Sequence, residues 1–310
     1  MKKTVVTGGA GFIGSHLAES LSRHDYQVVI IDNLSTGKMA NIENSLDMAN
    51  VEFVQGSITD LPLLERLFQG ATYVFHQAAI PSVSDSMENP IASHEVNATG
   101  TVNVLLAARD NKVRKVIYAS SCSIYGDMCS CPNREEVIPH PQSPYAVAKL
   151  ASEHYCQFFH QSYGPPTVCL RYFNVYGPRQ DPNSQYAAVI PSFINQVYHG
   201  SPPIIFGDGK QTRDFVFVKD VVEANLLAAE NGAAGTFNIG RGEEISIKKL
   251  AKLIIQLTGN GIKPIQKEPR HGDIKHSLAD ISQARTFGYE PKWTLEEGLR
   301  ETIRSFQYEI

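Results

Sequence analysis

The sequence predicts a doubly wound α/β fold, a parallel sheet covered by helices on both faces. Three observations carry this. Apolar runs recur at 4–6, 27–31, 51–54, 72–75, 115–119 and 166–170; helix-periodic segments lie between them at 61–69, 91–110 and 145–163; and a glycine-rich turn links the first run to a helix. Strands that alternate with amphipathic helices in this way pair in parallel, and ligands of such sheets bind beyond the carboxyl ends of the strands. With 310 residues, 42% of them hydrophobic, the chain can bury one large or two moderate cores.

The first element is the run Thr4-Val5-Val6, which passes through TGGAGFIGSHLAESL into a helix. Gly8, Gly11 and Gly14 are spaced for a tight turn, a close approach of backbone to a pyrophosphate, and close packing of helix on strand. The anion would sit on the positive helix N-terminus. The second run, VVIID, ends in Asp32, about 20 residues on, where an acid grips the adenosine ribose hydroxyls. Asp32 would repel a 2′-phosphate by about 4 kcal/mol at ~4 Å and an effective dielectric near ~20. The nearest following cation is Lys38, so NAD is expected rather than NADP.

Later motifs also follow apolar runs and so converge on the same sheet edge: HQAAI at 76–80, SSCSIYG around Ser121, and RYFNVYGP at 171–178. Tyr145 and Lys149 stand one helical turn apart in SPYAVAKLASEHY. A phenol has a pKa of about 10; a drop of about three units needs roughly 4 kcal/mol of preference for the phenolate. A lysine four residues on shares its helix face and favours that form. With the Ser121 hydroxyl, the pair can take a proton from a sugar hydroxyl. From about residue 179 prolines multiply and elements shorten, which suits a smaller mixed α/β substrate domain; FNIG at 237–240 reads as a strand returning to the sheet. The expected division is 1–178 for the dinucleotide-binding domain, with a return near 210–240, and 179–310 mainly for substrate.

Bulk properties exclude several classes. A net charge of -4 offers no global attraction for nucleic acid or anionic membrane. No apolar run approaches the roughly 20 residues of a bilayer span, and MKKTVVTGG enters a strand at once rather than reading as a secretory signal. Five scattered cysteines suggest reduced thiols and a cytoplasmic setting. Cys129 and Cys131 lack further ligands, so no metal site is expected, and Cys122 reads as pocket wall rather than nucleophile.

These landmarks, in this order, resemble the extended short-chain dehydrogenase/reductase family, and more narrowly its UDP-galactose and UDP-N-acetylglucosamine 4-epimerases, from TGGAGFIG to PRHGDI. The resemblance implies a Rossmann-like fold, NAD, a nucleotide-sugar substrate and a homodimer built from the helices near 91–110 and 145–163. It makes Ser121, Tyr145 and Lys149 catalytic. It places Gly8, Gly11, Phe12, Ile13, Gly14, Asp32, Asn33, Ser57, Ile58, Ala78, Ala79, Asn97, Tyr145 and Lys149 at the cofactor. It places Ser121, Ser123, Tyr145, Phe173, Asn174, Arg213, Arg270, Asp273 and Ser277 at the substrate. Asn97 and Thr101, in EVNATGT, either support the active-site helix or simply cap or line one. One departure is Gly56-Ser57-Ile58, where relatives commonly carry G-D-I; Asp60 follows slightly later.

Dehydratases of the family carry T-D-E where this chain has Ser121-Cys122-Ser123, and the decarboxylases carry a glutamate at the position of Ser123. Without those acids the remaining chemistry is oxidation at C4, rotation of the 4-keto sugar and reduction from the other face. Seven residues after Arg270 the family places a gate; Ser277 there is small enough to admit an N-acetyl group. Asp181 stands where glucuronate-type relatives tend to have arginine. The expected substrates are UDP-GlcNAc and UDP-GalNAc, with UDP-glucose and UDP-galactose second. The alternatives are an epimerase of UDP-glucuronate or of plain UDP-hexoses only, and a non-catalytic NAD-binding regulator. Uridine and thymidine diphosphate are not distinguished.

Overall fold

The structure, a computed structural model, describes all residues except 128–130, 183–187, 260, 270–273 and 309–310. Its strands are β1 (Lys3–Thr7), β2 (Gln27–Asp32), β3 (Val51–Gln55), β4 (Tyr73–His76), β5 (Lys115–Ser121), β6 (Thr167–Tyr172), β7 (Asn174–Tyr176), β8 (Ile204–Phe206), β9 (Thr212–Phe217), β10 (Gly235–Ile239), β11 (Glu244–Ser246) and β12 (Ile265–Lys267). Seven form one sheet in the order β3-β2-β1-β4-β5-β6-β10, every neighbouring pair parallel. The order reverses between β1 and β4, which opens a crevice at their carboxyl ends.

The strands are apolar throughout because both faces are covered. Val6, Val28, Ile30, Phe75 and Ile117 belong to one buried cluster, and their neighbours Val5, Val29, Ile31, Val74 and Val116 to another. Period-two alternation thus feeds two cores, one per face, as a sheet between two helical layers requires. A third core, with Phe193, Phe215, Phe217, Leu250, Leu299 and Ile303, lies under the later part of the chain. There β11-β9-β7 form a small sheet and β12-β8 a two-stranded one.

The chain leaves the main sheet at Phe173: β6 ends at Tyr172 and β7, starting at Asn174, pairs with β9. Of the expected return near 210–240, β10 joins the seven-stranded sheet beside β6, whereas β9 stays in the small one. The long helix Pro144–Tyr163 starts where the sequence says it should. Ser143 accepts the Ala146 N–H at 3.2 Å and proline occupies the first turn, where a missing N–H costs nothing. No helix among the described residues is long and apolar enough to cross a membrane.

Candidate active site

The glycine turn is shaped by contacts that only glycine survives. A Cβ on Gly8, at φ +68, would fall 2.6 Å from the Ala78 backbone, and one on Gly14 would fall 2.1 Å from the Gly8 carbonyl oxygen. Gly11 heads the helix Phe12–Arg23 with no side-chain cap, so the amides of its first turn are offered to a ligand. The Phe12 and Ile13 side chains pack on the third core, so it is their backbone that fits an anion. Asp32 is buried; one oxygen accepts the Ala10 N–H at 3.0 Å and the other the Leu34 N–H at 2.8 Å. It therefore tethers the glycine turn, and its remaining lone pairs suit ribose hydroxyls. The cradle, the bare helix end and the acid together fit a dinucleotide diphosphate.

Asn33 is exposed and its side chain accepts the Ser35 N–H at 3.1 Å. The Ser57 hydroxyl lies 2.8 Å from that of Thr59, and Asp60 caps the helix Leu61–Leu67 through the Leu63 N–H. Asp60 is thus consumed as a cap and does not replace the missing aspartate of G-D-I. Ile58 is buried against Gly100.

At the β1–β4 crevice a chain of hydrogen bonds has one consistent direction. The Thr101 hydroxyl gives its proton to the Asn97 carbonyl at 2.7 Å, so across 3.0 Å it accepts from His76 Nε2. His76 Nδ1 then accepts from the Thr7 hydroxyl at 2.8 Å, and Thr7 in turn accepts the Ala78 N–H at 3.3 Å. The chain requires a neutral imidazole, and burial, aided by the Lys149 charge, pushes His76 down to about 3. Asn97 lies in a π-helical turn, Glu95–Thr99, a distortion common at functional sites. Its carbonyl also accepts the Ser152 hydroxyl from the long helix at 2.9 Å. Its side chain is spent on Ile80, whose N–H it accepts at 2.8 Å and whose carbonyl it reaches at 3.0 Å. Asn97 therefore holds the segment of Ala78 and Ala79 in place rather than presenting a free amide to cofactor.

Tyr145 and Ser121 come together closely enough for the serine to act on the phenol's titration, and Ser121 Oγ accepts the Ser123 N–H at 3.2 Å. Lys149 is buried; Nζ donates to the Ala119 carbonyl at 2.7 Å and lies 4.9 and 5.7 Å from the ring centroids of Tyr118 and Tyr145. One expectation is corrected here. Burial pushes Tyr145 up to about 12, with Ser121 pulling the other way, so in the protein alone Lys149 does not bring the phenol below its ordinary value. Burial also lowers Lys149 to about 8.

The residues expected at the sugar come from several segments. Asn174 Nδ2 donates to the Asp214 carbonyl at 3.1 Å. Arg213, in β9, reaches the Thr212 carbonyl at 2.8 Å. Ser277 is nearly buried close to Cys122, and burial pushes that thiol up to about 12, which suits a wall residue better than a nucleophile. Ser123 Oγ is buried with no hydrogen-bond partner, which leaves a polar atom to face a ligand. The Phe173 side chain packs in the core 6.3 Å from the Tyr125 ring, and its N–H goes to the Ile239 carbonyl. Arg270 and Asp273 lie outside the described residues. Among the described residues no group of three or more His, Cys, Asp or Glu is placed to hold a metal ion.

Residues 4–240 match the NAD dependent epimerase/dehydratase family. The chain belongs to that family. A putative UDP-glucose 4-epimerase of Methanocaldococcus jannaschii is 40% identical over 301 residues, 96% of each protein. The UDP-N-acetylglucosamine 4-epimerase of Methanobrevibacter ruminantium M1, solved in complex with UDP-N-acetylmuramic acid, superposes with a TM-score of 0.97 at 42% identity, covering 100% of this chain and 99% of that one. The UDP-glucose 4-epimerase of Thermotoga maritima, solved with UDP-glucose, gives 0.94 at 42% identity, covering 99% of each. The family cofactor is NAD, in keeping with the glycine cradle and Asp32.

Three buried side chains of this family member escaped the sequence reading. Glu153, one turn after Lys149, accepts the Ser120 hydroxyl at 2.5 Å and pairs with Arg171 at 2.8 Å. His76 ends an apolar strand, and Asp214 interrupts TRDFVF. In each case the available signal was a charged or titratable residue inside a buried pattern, where it must find partners.

Proposed function

We propose that this family member catalyses NAD-dependent 4-epimerisation of a UDP-hexose, with UDP-GlcNAc and UDP-GalNAc favoured and UDP-glucose and UDP-galactose as second substrates. The observation that carries the reading is the gathering of Ser121, Tyr145 and the buried Lys149, whose Nζ lies 5.7 Å from the Tyr145 ring centroid, at the carboxyl edge of β5 beside the dinucleotide cradle. NAD, when bound, accepts and returns the C4 hydride. Tyr145 takes the C4 hydroxyl proton and gives it back; Ser121 holds that oxygen; Lys149 keeps positive charge under the ring. Asn174, Arg213 and Arg270 are proposed to hold the diphosphate while the 4-keto sugar turns.

Two features argue against the neighbouring reactions. No carboxylate stands at positions 121–123, and two buried acids near them are engaged elsewhere: Asp214 by three backbone N–H groups, Glu153 by the Ser120 hydroxyl and Arg171. Elimination and decarboxylation therefore lack their extra acid. Asp181 is paired with Lys38 at 3.1 Å, so it turns toward the cofactor loop and offers a sugar carboxylate no cation. The small, nearly buried Ser277 supports acceptance of an N-acetyl group.

A homodimer is part of the proposal. Val147, Tyr155 and Phe158 leave an apolar stripe exposed along the helix Pro144–Tyr163, and Met87 and Ile91 expose another on the short helices before it. The free thiols Cys122, Cys131, Cys156 and Cys169 suit a reducing cytoplasm. The test is direct. Purified protein incubated with UDP-GlcNAc and no added NAD should yield UDP-GalNAc to equilibrium, read by proton NMR. No turnover of any UDP-hexose, even with NAD supplied, would leave the NAD-binding regulator as the better account.

A further inference from the structure

The residues proposed to hold the nucleotide sugar arrive from distant parts of the chain, yet they share one neighbour. Asp214, fully buried in β9, accepts three backbone N–H groups: Arg241 at 2.7 Å, Gly242 at 2.9 Å and Ala279 at 3.1 Å. Its own carbonyl accepts the Asn174 side chain at 3.1 Å. Arg213 precedes it, and Ser277 stands two residues before Ala279. The fit is close: a Cβ on Gly240 would fall 2.8 Å from the carboxylate and 2.6 Å from the Ala279 methyl.

We infer that Asp214 is a positioning residue for the nucleotide-sugar end of the site, its three-amide clamp setting β9, which carries Arg213, against the segment that carries Ser277. The inference rests on the proposed reading of Arg213 and Ser277. Its physical basis is that a buried carboxylate is tolerated when charge-assisted donors surround it, and each donor it gathers is thereby fixed. An amide or a protonated acid cannot accept three N–H groups in the same places, because one of its own atoms becomes a donor.

The clamp is also sensitive to acid. Burial pushes Asp214 up to about 6, so it is charged at neutral pH and discharges as pH falls through that value. The charged or titratable groups around it are Arg213, Arg241, Glu244, Cys122, Cys131 and Tyr289. His276 lies farther out, its Nδ1 2.9 Å from the Thr212 hydroxyl.

The test is calorimetric titration of NAD-loaded protein with UDP-glucose, whose diphosphate diester does not titrate near neutral pH. The native protein should bind with constant affinity above about pH 7 and weaken by up to roughly tenfold per pH unit below about pH 6. Asp214→Asn should bind about tenfold or more weakly at neutral pH and lose the acid-side slope, while its NAD content stays native. A clamp that only stabilised the fold would lower NAD content and Tm together. An Asp214→Asn protein that binds within about twofold of native overturns the inference, as does an acid-side slope that persists in the variant and so belongs to another group. Should the variant not fold, the native profile decides: an affinity flat through pH 6 overturns it. A native holoenzyme that does not bind UDP-glucose at all overturns the proposed reading, and this inference with it.

Discussion

The two ends of the site are built differently. The cofactor end is continuous: β1, the glycine turn and the helix Phe12–Arg23 follow one another, and Asp32 closes the unit at the end of β2. The sugar end is a mosaic of Ser121–Ser123, Asn174, Arg213 and Ser277, held by bonds such as Ala279 N–H to Asp214 that span 65 residues. A local unit can impose cofactor identity on its own. A mosaic depends on its clamps, and a shift in any clamp moves the pocket without disturbing the dinucleotide. Substrate preference should therefore change more readily than cofactor use.

The sharpest way to separate the ends is to remove the phenol oxygen that both must reach. Tyr145→Phe should lower kcat by about 10²–10⁴ with NAD content and UDP-sugar affinity near native, since general acid–base catalysis supplies that range. A variant that keeps substantial turnover would break the assignment.

A smaller effect is expected at the mosaic end alone. Ser277→Tyr should reduce kcat/KM for UDP-GlcNAc by roughly 10–200-fold relative to UDP-glucose, the discrimination that steric pocket contacts achieve. Equal loss on both sugars would show that position 277 does not face C2.

The smallest effect belongs to pH. Lys149 must be an ammonium to favour the phenolate, and burial has brought it down to about 8. Activity should fall as pH rises past that value, by up to about tenfold per unit. Stability runs separately. His76 is held near 3, below its unfolded value, so the unfolded chain binds the extra proton between about pH 3 and about pH 6.5. Stability should drop across that window by up to roughly 1.4 kcal/mol per pH unit, measurable as a declining Tm.

Much of this was legible in the chain. Gly8 and Gly14 announced a cradle, and Tyr145 and Lys149 announced one helix face, because both patterns are set by neighbours within a turn or two. Asp60 was legible only as an acid near the adenine position; it took the helix Leu61–Leu67 to show that the side chain is a cap. The burial of the Phe173 ring was not legible either, since it follows from the chain switching sheets at that residue.

The sequence by itself determined the fold class, the dinucleotide cradle and the serine–tyrosine–lysine set, since strand alternation, glycine spacing and helical period are short-range properties. Tertiary structure alone decided that His76 sits neutral in a buried hydrogen-bond chain, that burial holds the phenol high, and that Asp214 gathers the amides of Arg241, Gly242 and Ala279. Those outcomes depend on burial and on bonds between residues far apart in the chain, and desolvation has no signature in residue order.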